Sequence, residues 1–159
     1  MSKYFSFNYE AVDDLGSQLS RGLTGYALKP RANGRLDTLW IFLPNKTLEI
    51  RAEITPVDDW EEIGTLQFRC LPENEPCPDK TLIPSSWLEI ASISKLLVED
   101  KKFKAECGIV IKNTEGNNLF IVVGALPLTI ELKANFYENN FQPECNINMY
   151  STSLIFKKT

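Results

Sequence analysis

Histidine is missing from all 159 residues. It is the commonest general acid/base side chain and the commonest imidazole metal ligand. Its absence removes Ser-His and Cys-His nucleophile pairs, HExxH zinc sites and facial-triad iron sites together. Other absences narrow the field further. No two of the four cysteines (Cys70, Cys77, Cys107, Cys145) have the CxxC spacing that joins thiolates on one zinc or one redox turn. There is no GxGxxG and no GxxxxGK[ST], and Gly22-x-x-Gly25 precedes no helix that would present its N-terminus to phosphate. The opening Met-Ser-Lys-Tyr-Phe-Ser-Phe lacks the apolar stretch of a signal peptide. The longest apolar run, Leu119 to Leu128, is broken by Gly124 and Pro127 and falls far short of the ~20 residues that span a bilayer. A cytoplasmic chain with free, structural thiols and no cofactor or metal is the expectation, with Cys77 in its proline-rich loop the most exposed.

What is present points to one domain over 1–159, a length at which a sizeable core can be buried. The net charge is −4, which favours solubility and opposes contact with nucleic acid or anionic membranes. The densest basic group, Lys101, Lys102 and Lys104, lies among Glu99, Asp100 and Glu106, which should cancel its field.

The pattern along the chain is that of strands. Residues 4–9 alternate and predict a first strand. Residues 10–37 hold four glycines and Pro30; they suggest a short helix or turn near 11–20 and then a long loop of functional potential. Leu39-Trp40-Ile41-Phe42-Leu43 is apolar on both faces and predicts a strand covered on both sides. Residues 47–55 alternate, with Leu48, Ile50, Ala52 and Ile54 inward. Thr65 to Leu71 repeats that alternation, and three prolines keep 72–80 out of any ladder. Residues 81–99 are two-sided: Ser86 and Glu89 have capping-box spacing, whereas Trp87, Ile90, Ile93 and Val98 favour strand. The balance predicts a strand near 86–93 followed by a helical or turn segment. Two strands at 107–112 and 119–124 flank a Gly116 turn; Leu128, Ile130 and Leu132 alternate after Pro127; a polar loop over 135–145 carries Phe136, Tyr137 and Phe141; residues 147–156 close the chain. Eight or nine strands with one or two short helices predict a mainly β fold, an antiparallel sandwich or a partly open barrel.

Candidate chemistry is sparse. Asp58, Asp59, Glu61 and Glu62 bracket Trp60. Paired carboxylates can serve glycoside hydrolysis when set ~5–9.5 Å apart across a sugar, but four acids in one loop more often form a solvated patch. The same loop, with Glu73, Glu75 and Asp79, can instead form an acidic surface around an aromatic anchor for a basic partner. The competing and commoner outcome folds Trp60 back onto the core. Ser85-Ser86 with Lys80, Lys95 or Lys112 would be a Ser-Lys dyad without a supporting motif. Tyr4, Tyr9, Tyr26 and Tyr137 would line a cavity in a barrel, although packing is their ordinary use.

The string Glu106-Cys107-Gly108-Ile109-Val110-Ile111, then Glu115-Gly116, then Ile121 to Pro127 and Leu128-Thr129-Ile130 resembles a strand–hairpin–strand module of small uncharacterised bacterial proteins, some of them similar to immunity proteins of toxin systems. It spans residues 106–132. Its signature is structural, a glycine turn and a proline before the next strand, so it transfers no site residue. Together with the missing catalytic set, the acidic charge and the single domain, the resemblance implies a non-enzymatic protein that binds and masks a basic toxin. The alternative is a β-barrel or sandwich that binds a small apolar ligand or carbohydrate.

Overall fold

The computed structural model describes residues 2–12 and 14–159. The structure is mainly β, with 52% strand and 8% helix, and its strands form one open, curled sheet, a half-barrel. In chain order the elements are β1 (Lys3–Phe5), β2 (Asn8–Glu10), α1 (Leu15–Leu19), β3 (Gly25–Pro30), β4 (Leu36–Phe42), β5 (Thr47–Pro56), β6 (Glu62–Cys70), β7 (Thr81–Leu82), β8 (Ile90–Glu99), β9 (Phe103–Asn113), β10 (Asn118–Val123), β11 (Ile130–Lys133) and β12 (Ser151–Lys157). The sheet runs β12-β8-β9-β10-β11-β4-β5-β6-β2, with β3 on β4, β7 on β3 and β1 on β9.

The central strands follow the sequence pattern. Leu39, Trp40 and Ile41 are all buried, as two-sided apolarity requires. In β5, Leu48 and Ile50 pack inward and pair with Cys70 and Phe68 of β6. Between β9 and β10, Gly116 takes a φ of 88°, the left-handed residue that closes this hairpin.

Three expectations are corrected. The first strand is two strands: the chain breaks at Ser6-Phe7 because Phe7 turns into the core, where it meets Phe68 edge-on at 5.0 Å. As a result β1 lies parallel on β9 and β2 parallel on β6, so the N-terminal segment links two strands of the curled sheet. Within 10–37, the helix falls at 15–19, in a region whose Asp13, like Met1, lies outside the described residues. The expected loop after it contains β3. That strand was hidden by Gly25 and Pro30, yet Gly25 is needed there, since a Cβ would sit 2.7 Å from the backbone carbonyl oxygen of Thr81. Finally, 86–93 is not strand followed by helix but the reverse. Ser85–Leu88 form a 3₁₀ turn and β8 follows. Trp87, fully buried, fixes that turn by donating its Nε1–H to the Asn135 side chain at 3.1 Å and packing edge-on against Phe136.

Two apolar clusters result. The larger includes Leu39, Leu48, Phe68, Trp87, Ile109 and Ile121. The smaller gathers Val57, Ile63, Val98, Phe103, Cys107 and Tyr150. Glu106 is only 1% exposed. It accepts from Tyr4 Oη at 2.6 Å and from the Phe7 backbone N–H at 2.7 Å, and it pairs with Lys95 Nζ at 2.8 Å. Its expected role of neutralising surface lysines is therefore wrong: it is the internal tie that holds the N-terminal segment to β8 and β9. All four cysteines are free thiols. Among the described residues no helix is long and apolar enough to cross a membrane.

Candidate functional site

The β5–β6 hairpin keeps its ladder register to Pro56 and Glu62, and the tip lies between them. Val57 anchors the base of the tip in the smaller apolar cluster. Its N–H donates to Glu61 O at 2.8 Å, and Lys3 Nζ donates to Val57 O at 2.9 Å. Asp58 then accepts the Trp60 N–H at 2.8 Å. That bond, with Lys102 next in effect, holds the Asp58 carboxyl below its ordinary range. Lys102 bridges Asp58 at 3.0 Å and Glu61 at 3.5 Å, which in turn raises the lysine's own pKa. The tip is thus a built turn, and it leaves Trp60 95% exposed. Trp60 does not fold back onto the core. A tryptophan of ~150–250 Å² left in water forgoes roughly 4–6 kcal/mol of burial at about 25 cal/mol per Å².

The eight acidic-loop residues singled out in the sequence do not share one place. Asp58, Asp59, Trp60, Glu61 and Glu62 stand together at one end of β6. Glu73, Glu75 and Asp79 follow its other end, a strand length of about 26 Å at ~3.3 Å per residue. Glu75 is also spoken for: it forms two bonds to Arg69, at 2.7 and 2.9 Å, and Arg69 carries the buried Glu49 on its other side. Asp58 and Glu61 both engage Lys102, and Asp58 also accepts the Trp60 N–H, so two of the four tip carboxylates are used in building the turn.

A cavity that the sequence did not announce opens at the foot of this hairpin. It holds about 110 Å³ and is lined by Ile54, Glu62, Ile63, Gly64, Val123, Ala125, Pro127, Leu128 and Glu144. Gly64 is required at this point, because any Cβ would collide with Val123. Glu144 is brought in by a strand-like segment alongside the end of β10: Ala125 N donates to Gln142 O and Glu144 N to Val123 O, both at 2.9 Å. Buried Glu131 secures that segment by accepting the Gln142 N–H at 2.8 Å and pairing with Arg35 at 3.4 Å. Across the mouth, Leu128 sits at φ 59°, a left-handed conformation costing a leucine about 1–2 kcal/mol. Arg31 steadies it by donating to Leu128 O at 2.8 Å, and Thr129 Oγ1 donates to Leu126 O. Leu126 and Leu128 remain about half exposed.

Burial pushes the Glu144 carboxyl up to about 7, only partly opposed by the Gly64 N–H. Its Oε1 is inaccessible and has no hydrogen-bond partner. A folded-state pKa above the unfolded one stabilises the protein below the unfolded value, near 4.5, and that contribution disappears as pH rises through about 7. Glu144→Gln should therefore change stability little at pH 4 and raise it above pH 8. The expected gain is on the order of 1–2 kcal/mol, solvent at the mouth screening the rest. Urea titrations at the two pH values check this; equal effects at both would mean Glu144 is not held in a desolvated state.

The remaining candidates are accounted for by structure. Lys95 is engaged by Glu106, Lys80 lies over the Phe42 ring and Lys112 is exposed on β9 opposite Ser92, and among the described residues none of the three hydrogen-bonds Ser85 or Ser86. Tyr26 and Tyr137 pack with each other and Tyr9 stacks on Phe68. The larger surface depression, about 670 Å³, is an open groove between Leu43–Thr47 and Cys70–Cys77 with mixed lining. Among the described residues no group of three His, Cys, Asp or Glu side chains is placed to hold a metal. Comparison with known protein families, curated proteins and solved structures finds no match.

Proposed function

We propose that this chain is a non-enzymatic, cytoplasmic protein-binding domain that docks a basic protein through the Trp60 hairpin, with masking of a basic toxin as the function its immunity-like module suggests. The observation that carries the reading is Trp60 itself: 95% exposed, on a turn fixed by Asp58, Val57 and Lys3, and ringed by carboxylates. Aromatic anchors of this kind dominate interface energetics, while surrounding charges steer encounter and select partners of opposite sign. The half-exposed Leu128, at the rim of the cavity that Glu62 also lines, and the half-exposed Leu126 near it in the chain extend the apolar part of the surface.

The test separates the two ends of β6. Combined reversal of Asp58, Asp59, Glu61 and Glu62 to lysine should weaken capture of a basic protein from the native host at least tenfold and flatten the salt dependence. Reversal of Glu73 and Asp79 should leave it within about twofold, since charges beyond a Debye length of ~10 Å contribute little. A partner that is not basic, or binding lost only through Glu73 and Asp79, would move the interface away from the hairpin.

A further inference from the structure

We propose that this chain associates with a second copy of itself, head to tail, by seating the acidic Trp60 hairpin of one copy on a lysine-edged face of β8, β9 and β10 in the next. The strand register builds that face. Residues directly opposite one another in antiparallel strands share a face of the sheet. Leu154 of β12 stands opposite Ser94, Ser94 opposite Val110, Val110 opposite Phe120, and Phe120 opposite Lys133 of β11. The row beside it is Lys157, Ser92, Lys112 and Asn118. On the other flank, Leu96 and Val122 are buried in the smaller apolar cluster with Phe141, Ile147 and Tyr150. That cover does not extend over the Leu154 row. Leu154 is 58% exposed, Val110 and Phe120 are half-buried, and Lys112, Lys133 and Lys157 are exposed. Neither of the two open rows contains a carboxylate, and among the described residues none of the three lysines forms an ion pair.

The hairpin is the complement of this face. Asp58 and Glu61 are engaged by Lys102, but Asp59 and Glu62 are exposed and, among the described residues, without an ion pair. An exposed tryptophan beside two free carboxylates thus matches an apolar row bordered by three free ammonium groups. A central aromatic within a rim of opposite charge is the arrangement that gives an interface both energy and selectivity. The same charges decide the geometry of the assembly. Hairpin against hairpin, or lysine face against lysine face, would set like charges together. A chain does not reach its own face either. Lys102 ties the tip to the start of β9, and Val110 lies eight residues along that strand, about 26 Å at ~3.3 Å per residue. The contact is therefore heterologous, and it adds copies in a ring or an open chain instead of closing as a two-fold dimer.

Self-association needs the exposed hairpin but no other protein, so a failure to capture a basic host protein would leave it untouched. Sedimentation equilibrium of the purified full chain is the test. In low salt the weight-average mass should rise with concentration to at least about twice that of one chain, and it should return to the single-chain value at about 1 M sodium chloride, where the Debye length is ~3 Å. Trp60→Ala should stay a single chain, and so should the double variant Lys112→Glu, Lys157→Glu. An equimolar mixture of these two variants should form a heterodimer that does not extend, because each supplies the half that the other lacks. Pairing in the mixture would also show that both variants are folded. A wild-type chain still single in low salt at about 1 mM, where even a contact with a millimolar Kd is populated, overturns the proposal. Self-association that persists in either variant, or a mixture that does not pair, overturns it as well.

Discussion

Replacing Glu106 with glutamine is expected to lower the unfolding free energy by about 3 kcal/mol, within the range seen when one partner of a buried ion pair is removed. The carboxylate holds three donors from three parts of the chain: Tyr4 Oη on β1, the Phe7 N–H between β1 and β2, and Lys95 Nζ on β8. Glutamine keeps the shape but leaves the Lys95 ammonium, which also lies over the Phe7 ring at 5.5 Å, without its counter-charge. Burial alone would raise the pKa of Glu106; Lys95, Tyr4 and the Phe7 N–H outweigh it and hold the carboxyl below its ordinary value. The sign follows: a lowered folded-state pKa gives stability that is present above the unfolded value and lost as pH falls through the folded one. Wild-type stability should therefore drop below about pH 4.5, where the Glu106→Gln variant changes less. Denaturant titrations over that range check both statements. A variant as stable as wild type at pH 7 would mean that β1 and β2 are held by their ladders alone. The consequence reaches the candidate interface, because Lys3 on β1 supports the carbonyl of Val57 beneath Trp60.

The placement of Glu106 is not encoded in any local pattern. Strand patterns are local, so the two-sided burial of 39–41 and the alternation of 47–55 were legible. Glu106 sits in an apolar run beside Lys101, Lys102 and Lys104, and nothing local distinguishes a surface carboxylate from one turned under a crossing N-terminal segment. Its true partners lie 11 to 102 residues away in the chain. Lys102, expected to be cancelled by its sequence neighbours, instead reaches the Trp60 turn. Glu144 was missed for the same reason: it stands in a polar loop with no periodicity, and its burial is made by Gly64 on a distant strand. The Asp58–Glu62 cluster was visible in composition, but its separation from Glu73 and Asp79 depends on β6 being a continuous strand between them.

The other large effect is expected at Trp60. Trp60→Ala should weaken binding of the basic partner by about 30-fold or more, equivalent to the roughly 2 kcal/mol that defines an interface hot spot. It should leave unfolding free energy within about 0.5 kcal/mol of wild type, because the side chain makes almost no burial to lose. That contrast separates docking from structure. Trp87, equally large but fully buried against Phe136, would fail the second criterion. Asp58→Asn is the informative companion: it keeps an acceptor for the Trp60 N–H while removing the charge that binds Lys102. A loss smaller than that of Trp60→Ala would assign most of the energy to the aromatic and the steering to the charge, as expected where electrostatics mainly sets association rate.

The most direct measurement of the central claim is site-specific photo-crosslinking in the native host, with a benzophenone side chain placed at position 59, beside an intact Trp60, in one protein and at position 73 in another. Docking through the hairpin predicts that position 59 labels one basic protein, that excess unlabelled wild-type chain competes for it, and that position 73 does not label it. Labelling of the same protein from position 73 with none from position 59 would contradict the account.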